Sequence, residues 1–219
     1  MKTSFRQYHL LQILKEFTDN NIPLDIFLRN YFKKNKSAGS KDRKEICENL
    51  YKLIKWKGLL DFLCDCPVTW EKRISKLIDF DFNKYLFDES IPPHTRVSFP
   101  KNYFEKIKAA YGEKKAFQFC LTSNETAPTT IRCNLLKTTC DKLFEKLKQK
   151  YDVERCKKSP AGIIFKKKIN FFDAEEFKQG LFEIQDEGSQ IAANLINPKP
   201  KDHVLDYCCG AGGKTLAFA

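Results

Sequence analysis

The chain has no apolar run approaching the roughly 20 residues that a bilayer-spanning helix needs. Its first residues, Met1-Lys-Thr-Ser-Phe-Arg-Gln7, lack the long apolar stretch of a secretory signal. Both absences predict a cytoplasmic protein with no membrane partner. Internal repeats and low-complexity tracts are missing as well, which excludes a repeat architecture. Histidine is scarce, with only three, scattered at positions 9, 94 and 203. The nine cysteines are odd in number and irregular in spacing, and Cys64-x-Cys66 has no second chelating pair nearby. A disulfide framework and a structural zinc site both want paired, regularly spaced ligands. The thiols are therefore expected to be reduced and mostly buried, with no metal.

What is present fits a folded protein. The 219 residues are 42% hydrophobic and 31% charged, enough for one or two domains with real cores. The net charge of +11 is unevenly spread: +5 over residues 1–100, +8 over 101–180 and −2 over 181–219. The middle segment clusters Lys142, Lys146, Lys148, Lys150, Arg155, Lys157, Lys158, Lys166, Lys167 and Lys168. A positive surface attracts a phosphate backbone without reading its sequence. A solvated lysine-rich face is an equal reading of charge alone.

The periodicity divides the chain into three segments: 1–98, 99–180 and 181–219. The first reads as helices, with apolar faces at Phe5/His9/Ile13/Phe17, at Leu24/Phe27/Leu28/Tyr31/Phe32 and at Ile46/Leu50/Leu53/Ile54. Pro23 suits a helix start, and Ser40 is expected to cap the helix after Gly39. Pro92-Pro93, Pro100 and Pro128 punctuate a connector with one or two helices. Strands are then expected at Thr129–Asn134, Gly162–Phe165 and Leu181–Ile184, with helices at Thr139–Tyr151 and Asp173–Gln179. That is a small α/β unit. Arg132 has two open readings, a phosphate contact or a cap on the sheet edge. Arg43 is read as an intramolecular salt-bridge partner ahead of an RNA contact.

The most informative stretch is Val204-Leu-Asp-Tyr-Cys-Cys-Gly-Ala-Gly-Gly-Lys-Thr-Leu-Ala-Phe-Ala219. A short apolar strand ending at Asp206 is expected to turn through glycines into a helix, leaving backbone N–H groups open to a ligand. A phosphate loop needs glycine at 208, which is Cys, and a dinucleotide fingerprint needs glycine at 215, which is Thr. Glycine spacing alone leaves a purely structural turn open.

With Gly180-Leu-Phe-Glu-Ile-Gln-Asp-Glu-Gly-Ser-Gln190 and Asn197-Pro198 before it, the turn resembles the Sun/Fmu/NOP family of S-adenosylmethionine-dependent RNA cytosine-5 methyltransferases. That family's usual turn reads Asp-x-Cys-Ala-Ala-Pro-Gly-Gly-Lys-Thr. Asp206, Cys208, Gly212, Gly213, Lys214 and Thr215 match it, while Cys209, Gly210 and Ala211 stand in place of Ala-Ala-Pro. The resemblance implies a mixed fold: an all-α NusB-like RNA-binding domain, a small RNA-recognition-like domain, and the first strand, turn and helix of a Rossmann-like methyltransferase domain.

It also implies the chemistry. Cys208, Cys209, Gly210, Ala211, Gly212, Gly213 and Lys214 would wrap S-adenosylmethionine, with Asp206 ordering the loop and Ser189 capping the helix beside it. RNA, ribosomal by implication, would meet Arg132, Lys137, Lys166, Lys167 and Lys168. In this family a cysteine adds to the cytosine ring before methyl transfer, and such cysteines lie in Pro-Cys and Thr-Cys segments downstream of the turn. No residue of this chain is expected to be that nucleophile. The expectation is a stretch inactive alone, monomeric when complete, and prone to disorder or self-association after about residue 200. The alternative is a non-enzymatic RNA-binding protein carrying a vestigial methyltransferase stub. A methyltransferase for protein or small molecules fits the excess positive charge less well.

Overall fold

A computed structural model describes residues 4–18 and 22–218. The first three residues of the expected helical segment, residues 19–21 and the terminal Ala219 lie outside the described residues. The chain forms two compact units that meet in sequence at Glu125/Thr126.

The first unit is helical among the described residues: α1 (Phe5–Thr18), α2 (Leu24–Lys34), α3 (Ser40–Lys55), α4 (Lys57–Leu63), α5 (Trp70–Ile78), α6 (Pro93–Arg96), α7 (Lys101–Tyr111) and α8 (Glu113–Ser123). The predicted apolar faces meet in one core, with Ile13, Phe27, Leu28, Ile46, Leu50, Leu53, Leu59 and Leu60 buried. His9, buried on the same face, places Nδ1 2.7 Å from the Tyr31 hydroxyl. Burial pushes that phenol up to about 12. A separate small core of Val97, Phe104, Ala116 and Cys120 holds α7 and α8 together.

Two local expectations are corrected here. Ser40 is the first residue of α3 rather than its cap, and Gly39 occupies the cap position with no side-chain bond. Among the described residues Arg43 makes no salt bridge. Its Nε donates to the Ala38 carbonyl at 2.7 Å and its guanidinium lies 5.5 Å from the Phe32 ring centre, so it braces the turn between α2 and α3.

The second unit carries β1 (Thr129–Cys133), α9 (Cys140–Lys148), β2 (Val153–Arg155), β3 (Gly162–Phe165), α10 (Glu175–Lys178), β4 (Phe182–Ile184), α11 (Glu187–Asn194) and α12 (Thr215–Phe218). The sheet order is β2-β3-β1-β4 with every pair antiparallel. Strand, helix, strand, strand, helix, strand in that order is the split-βαβ or ferredoxin-like arrangement. Alternation decides the buried face: Ile131, Cys133, Ile163, Phe165 and Phe182 meet Leu143 and Leu147 of α9. Thr139 caps α9 by accepting from the Lys142 amide at 3.3 Å. β4 lies within the segment expected to begin the third region, yet its register places Phe182 opposite Cys133 in this sheet.

The predicted strand at 204–206 does not form. Residues 202–206 take no regular structure, and Leu205 is 83% exposed. A strand needs a neighbour to pair its backbone groups, and the sheet that ends at β4 offers none there.

Candidate functional site

The loop between β4 and α11 positions everything around the turn. Asp186 caps α11, its Oδ2 accepting from the Gly188 amide at 2.9 Å, so Ser189 lies inside the helix and is not the cap. Glu187, in the first turn, accepts from the Lys158 and Ser159 amides at 2.6 and 3.0 Å. Those two amide bonds hold its carboxyl below the usual carboxylate range.

Gln190 is 1% exposed and fully engaged. Its Nε2 donates to the carbonyls of Ile131 (3.2 Å) and Gln185 (2.9 Å), and its Oε1 accepts from the Ser159 hydroxyl (2.6 Å). A buried amide leaves no partner unmet at small cost only when the geometry is this complete. A Cβ at Gly162 would come within 2.5 Å of Cys156 Sγ and 3.1 Å of Gln190 Oε1, so the close approach requires glycine. α11 is thereby riveted to β1.

Gln185 makes the link to the turn. Its amide donates to the Thr130 carbonyl at 3.1 Å, continuing the β1–β4 ladder. Its side chain accepts from Arg132 Nε at 2.7 Å and donates to the Gly213 carbonyl at 2.9 Å. Arg132 thus has a role that neither sequence reading named: it orients the side chain that holds the glycine turn. Within the turn Gly212 donates to the Cys209 carbonyl at 2.8 Å, and Gly210 and Gly212 have φ of 54° and 79°. Side chains rarely adopt that backbone, and no atom lies within 4 Å of a Cβ built at either glycine. Asp206 orders the loop by accepting from the Thr215 hydroxyl at 2.8 Å rather than from backbone amides.

Of the seven predicted cofactor residues, Cys208, Cys209, Gly210, Ala211, Gly213 and Lys214 are exposed and Gly212 is half-buried. They form one open, glycine-lined bend. Cys208 and Cys209 are exposed, as is Cys66, against the general reading of the thiols as mostly buried. Removing the brace is expected to loosen the bend. Gln185→Ala should speed amide hydrogen exchange at 213–216 by about tenfold, the loss of one to two net hydrogen bonds. Unchanged protection in an exchange experiment would show that the bend stands without Gln185.

The five predicted RNA residues do not come together. Antiparallel pairing of Thr129 with Phe165 and of Arg132 with Gly162 places Lys166, Lys167 and Lys168 past one end of the sheet and Lys137 past the other. Lys137 Nζ donates to the Gln179 carbonyl at 2.9 Å, and Asn134 Nδ2 to that of Gly180 at 3.0 Å. Both side chains hold the turn that leads into β4. Lys166 pairs loosely with Glu154 at 3.3 Å, both half exposed, and Lys167 and Lys168 are exposed. Beside them Thr126, Pro128, Ile164 and Phe165 line a groove of about 550 Å³ that sequence reasoning missed. Its residues come from three separate strands and loops, and only the register aligns them.

The sheet face opposite the core is not bare. It carries Thr130 and Arg132, Thr130 is 3% exposed, and α11 packs on β1. RNA-recognition domains stack bases on aromatic residues of an open sheet. Here the corresponding positions are Thr130, Arg132 and Ile164, none aromatic.

A family model for the ferredoxin-like domain of RsmF/B-like methyltransferases matches residues 99–171. Over those residues the chain is similar to the RsmF/B-like methyltransferases. Ribosomal RNA small subunit methyltransferase B of Pseudomonas syringae pv. tomato is 32% identical over 124 residues, 56% of this chain and 28% of that relative. The chain thus matches little more than a quarter of the curated relative's length. Among solved structures, that of PH0851 aligns over 95% of the chain and 58% of its own at 20% identity, with a TM-score of 0.61. A methyltransferase homologue from Pyrococcus horikoshii aligns over 58% of the chain and 42% of its own at 25% identity, with a TM-score of 0.51. The RsmF/B-like match begins within the helical unit, so the α7–α8 pair belongs to the matched region along with β1, α9, β2 and β3.

Proposed function

We propose that this chain is the RNA-engaging and cofactor-contacting part of a methyltransferase that places a methyl group on cytosine carbon five of ribosomal RNA. The observation that carries the reading is the glycine bend at 208–214, exposed and tied through Gln185 to the ferredoxin-like sheet. The open backbone around Gly210 and Gly212, with Lys214 exposed beside it, suits the methionine and ribose parts of S-adenosylmethionine. When bound, that cofactor supplies an electrophilic methyl group. The chain's own work is to present amides to it and to keep the bend in register with α11.

The helical unit, read as NusB-like, and the lysines past β3 would hold the RNA backbone. Neither contact reads sequence. Specificity would come from RNA shape and from the target base leaving its stack.

Two measurements test this. Calorimetry with S-adenosylmethionine should show saturable one-site binding; RNA binding without it would favour the vestigial-stub reading. Fluorescence anisotropy with a structured RNA should show affinity falling steeply with salt. The Lys166→Ala/Lys167→Ala/Lys168→Ala variant should lower the log–log salt slope by about 2, since each lost phosphate contact removes roughly 0.7–0.9. An unchanged slope would remove these lysines from the interface.

A further inference from the structure

The proposed cofactor role leaves one chemical pair in the bend unused. Cys208 and Cys209 are neighbours in sequence and both exposed, whereas Cys64, Cys120 and Cys133 are buried. Alanine usually stands at 209 in the family's turn, so the second thiol is a departure belonging to this chain.

We propose that Cys208 and Cys209 form a redox modification site, a vicinal dithiol that a peroxide closes to a disulfide. One thiolate attacks the peroxide oxygen and becomes a sulfenic acid as hydroxide leaves and takes up a proton to become water. The second thiol then displaces the sulfenic oxygen as another water. Two thiols and one peroxide give one disulfide and two waters.

Geometry decides what kind of disulfide this is. Adjacent Cα atoms across a trans peptide lie about 3.8 Å apart, below the roughly 4.4–6.8 Å of relaxed disulfides. The ring contains the 208–209 peptide and is strained, which places it among labile, readily reduced bonds rather than structural ones. The bend can yield to it. Gly210 and Gly212 follow directly and space around both is open. Among the described residues the bond from Gly212 N–H to the Cys209 carbonyl at 2.8 Å is the one made by the Cys208–Cys209 backbone, while the Asp206–Thr215 and Gln185–Gly213 bonds hold the bend on either side of it.

Rival thiols are poorly placed. Burial pushes Cys133 and Cys156 up to about 11 and raises Cys140, so few of them are thiolate at neutral pH. Cys66 is exposed, but its near neighbour Cys64 is buried.

Closing the ring twists the 208–209 peptide and turns the Cys209 carbonyl away from Gly212. On the function proposed above, and only on it, oxidation would then weaken cofactor binding. The site itself is tested without cofactor. The full chain is treated with hydrogen peroxide, remaining thiols are blocked with N-ethylmaleimide, and the tryptic peptide Asp202–Lys214 is weighed.

The expected peptide is lighter by two hydrogens, unlabelled and not cross-linked, and dithiothreitol restores two labelling sites. Amide exchange at Gly212 should rise about tenfold on oxidation. Cys209→Ala should abolish the internal bond. A doubly labelled peptide after peroxide, a cross-link to another cysteine, or irreversible over-oxidation would each overturn the proposal. Failure of S-adenosylmethionine to bind would sink the function and leave this chemistry standing.

Discussion

Phe182→Ala is expected to cost the second unit about 3–5 kcal/mol, the range for emptying a buried aromatic site. Phe182 is 0% exposed, and its ring sits 5.8 Å from Phe171 and 5.6 Å from Phe177, centre to centre. It is also the anchor of β4, a strand of three residues paired on one side to β1. So short an edge strand has little ladder to hold it. Truncating its one fully buried side chain should therefore release the strand as well as open a cavity. Urea unfolding followed by circular dichroism would read the cost, and Phe182→Leu should recover most of it. A loss below about 1 kcal/mol would mean that the cavity collapses and β4 stays docked without its anchor.

Glu176→Ala should destabilise the same unit by about 2–3 kcal/mol at neutral pH. The carboxylate is 0% exposed on α10 and its Oε1 accepts from Lys150 at 2.7 Å, with Lys146 at 3.5 Å. Its Oε2 has no hydrogen-bond partner among the described residues. Removing one partner of a fully buried ion pair costs roughly 3–5 kcal/mol. The lysine side chains here are about half exposed and re-enter water when freed, which lowers the expected figure.

The pH dependence follows from the same contacts. Burial pushes the Glu176 carboxyl up, but the Lys150 hydrogen bond and the charges of Lys150 and Lys146 outweigh it, so the group titrates below its ordinary value. A depressed carboxyl stabilises the fold above its unfolded pKa of about 4.3 and loses that contribution as pH falls through the folded value. The gap between wild type and Glu176→Gln should accordingly be full at pH 7 and shrink below about pH 4. A gap independent of pH would assign the stabilisation to shape rather than charge.

Much of the second unit was legible because its signals are local. Gly162-Ile-Ile-Phe165 is an apolar run bounded by turn residues and forms β3 at those residues. Leu143 and Leu147 marked the helix expected from Thr139, and Thr139 proves to be its cap. β2 escaped because Val153-Glu-Arg155 is short and polar, and it is a strand only through its pairing with β3. The opposite error occurred at Val204–Asp206, where apolar residues predicted a strand but no neighbour supplies a ladder. The turn's glycines and Asp206 were visible as a pattern, whereas the side chains that hold it were not. Gln185 and Gln190 stood in the motif without a role, because a glutamine's bonds depend on which carbonyls the fold brings near. The Asp186-x-Gly188 spacing did carry a capping signal that Ser189 obscured.

The riveting of Gln190 to Ile131 has a consequence for anyone wishing to graft the ferredoxin-like module onto another scaffold. A cut at residue 180 would strip β1 of its outer neighbour and of the amide that seals its flank, leaving a sticky margin. The transplantable piece runs from 126 to at least Asn194, and what it delivers to a host is a four-stranded sheet with α11 already seated on it.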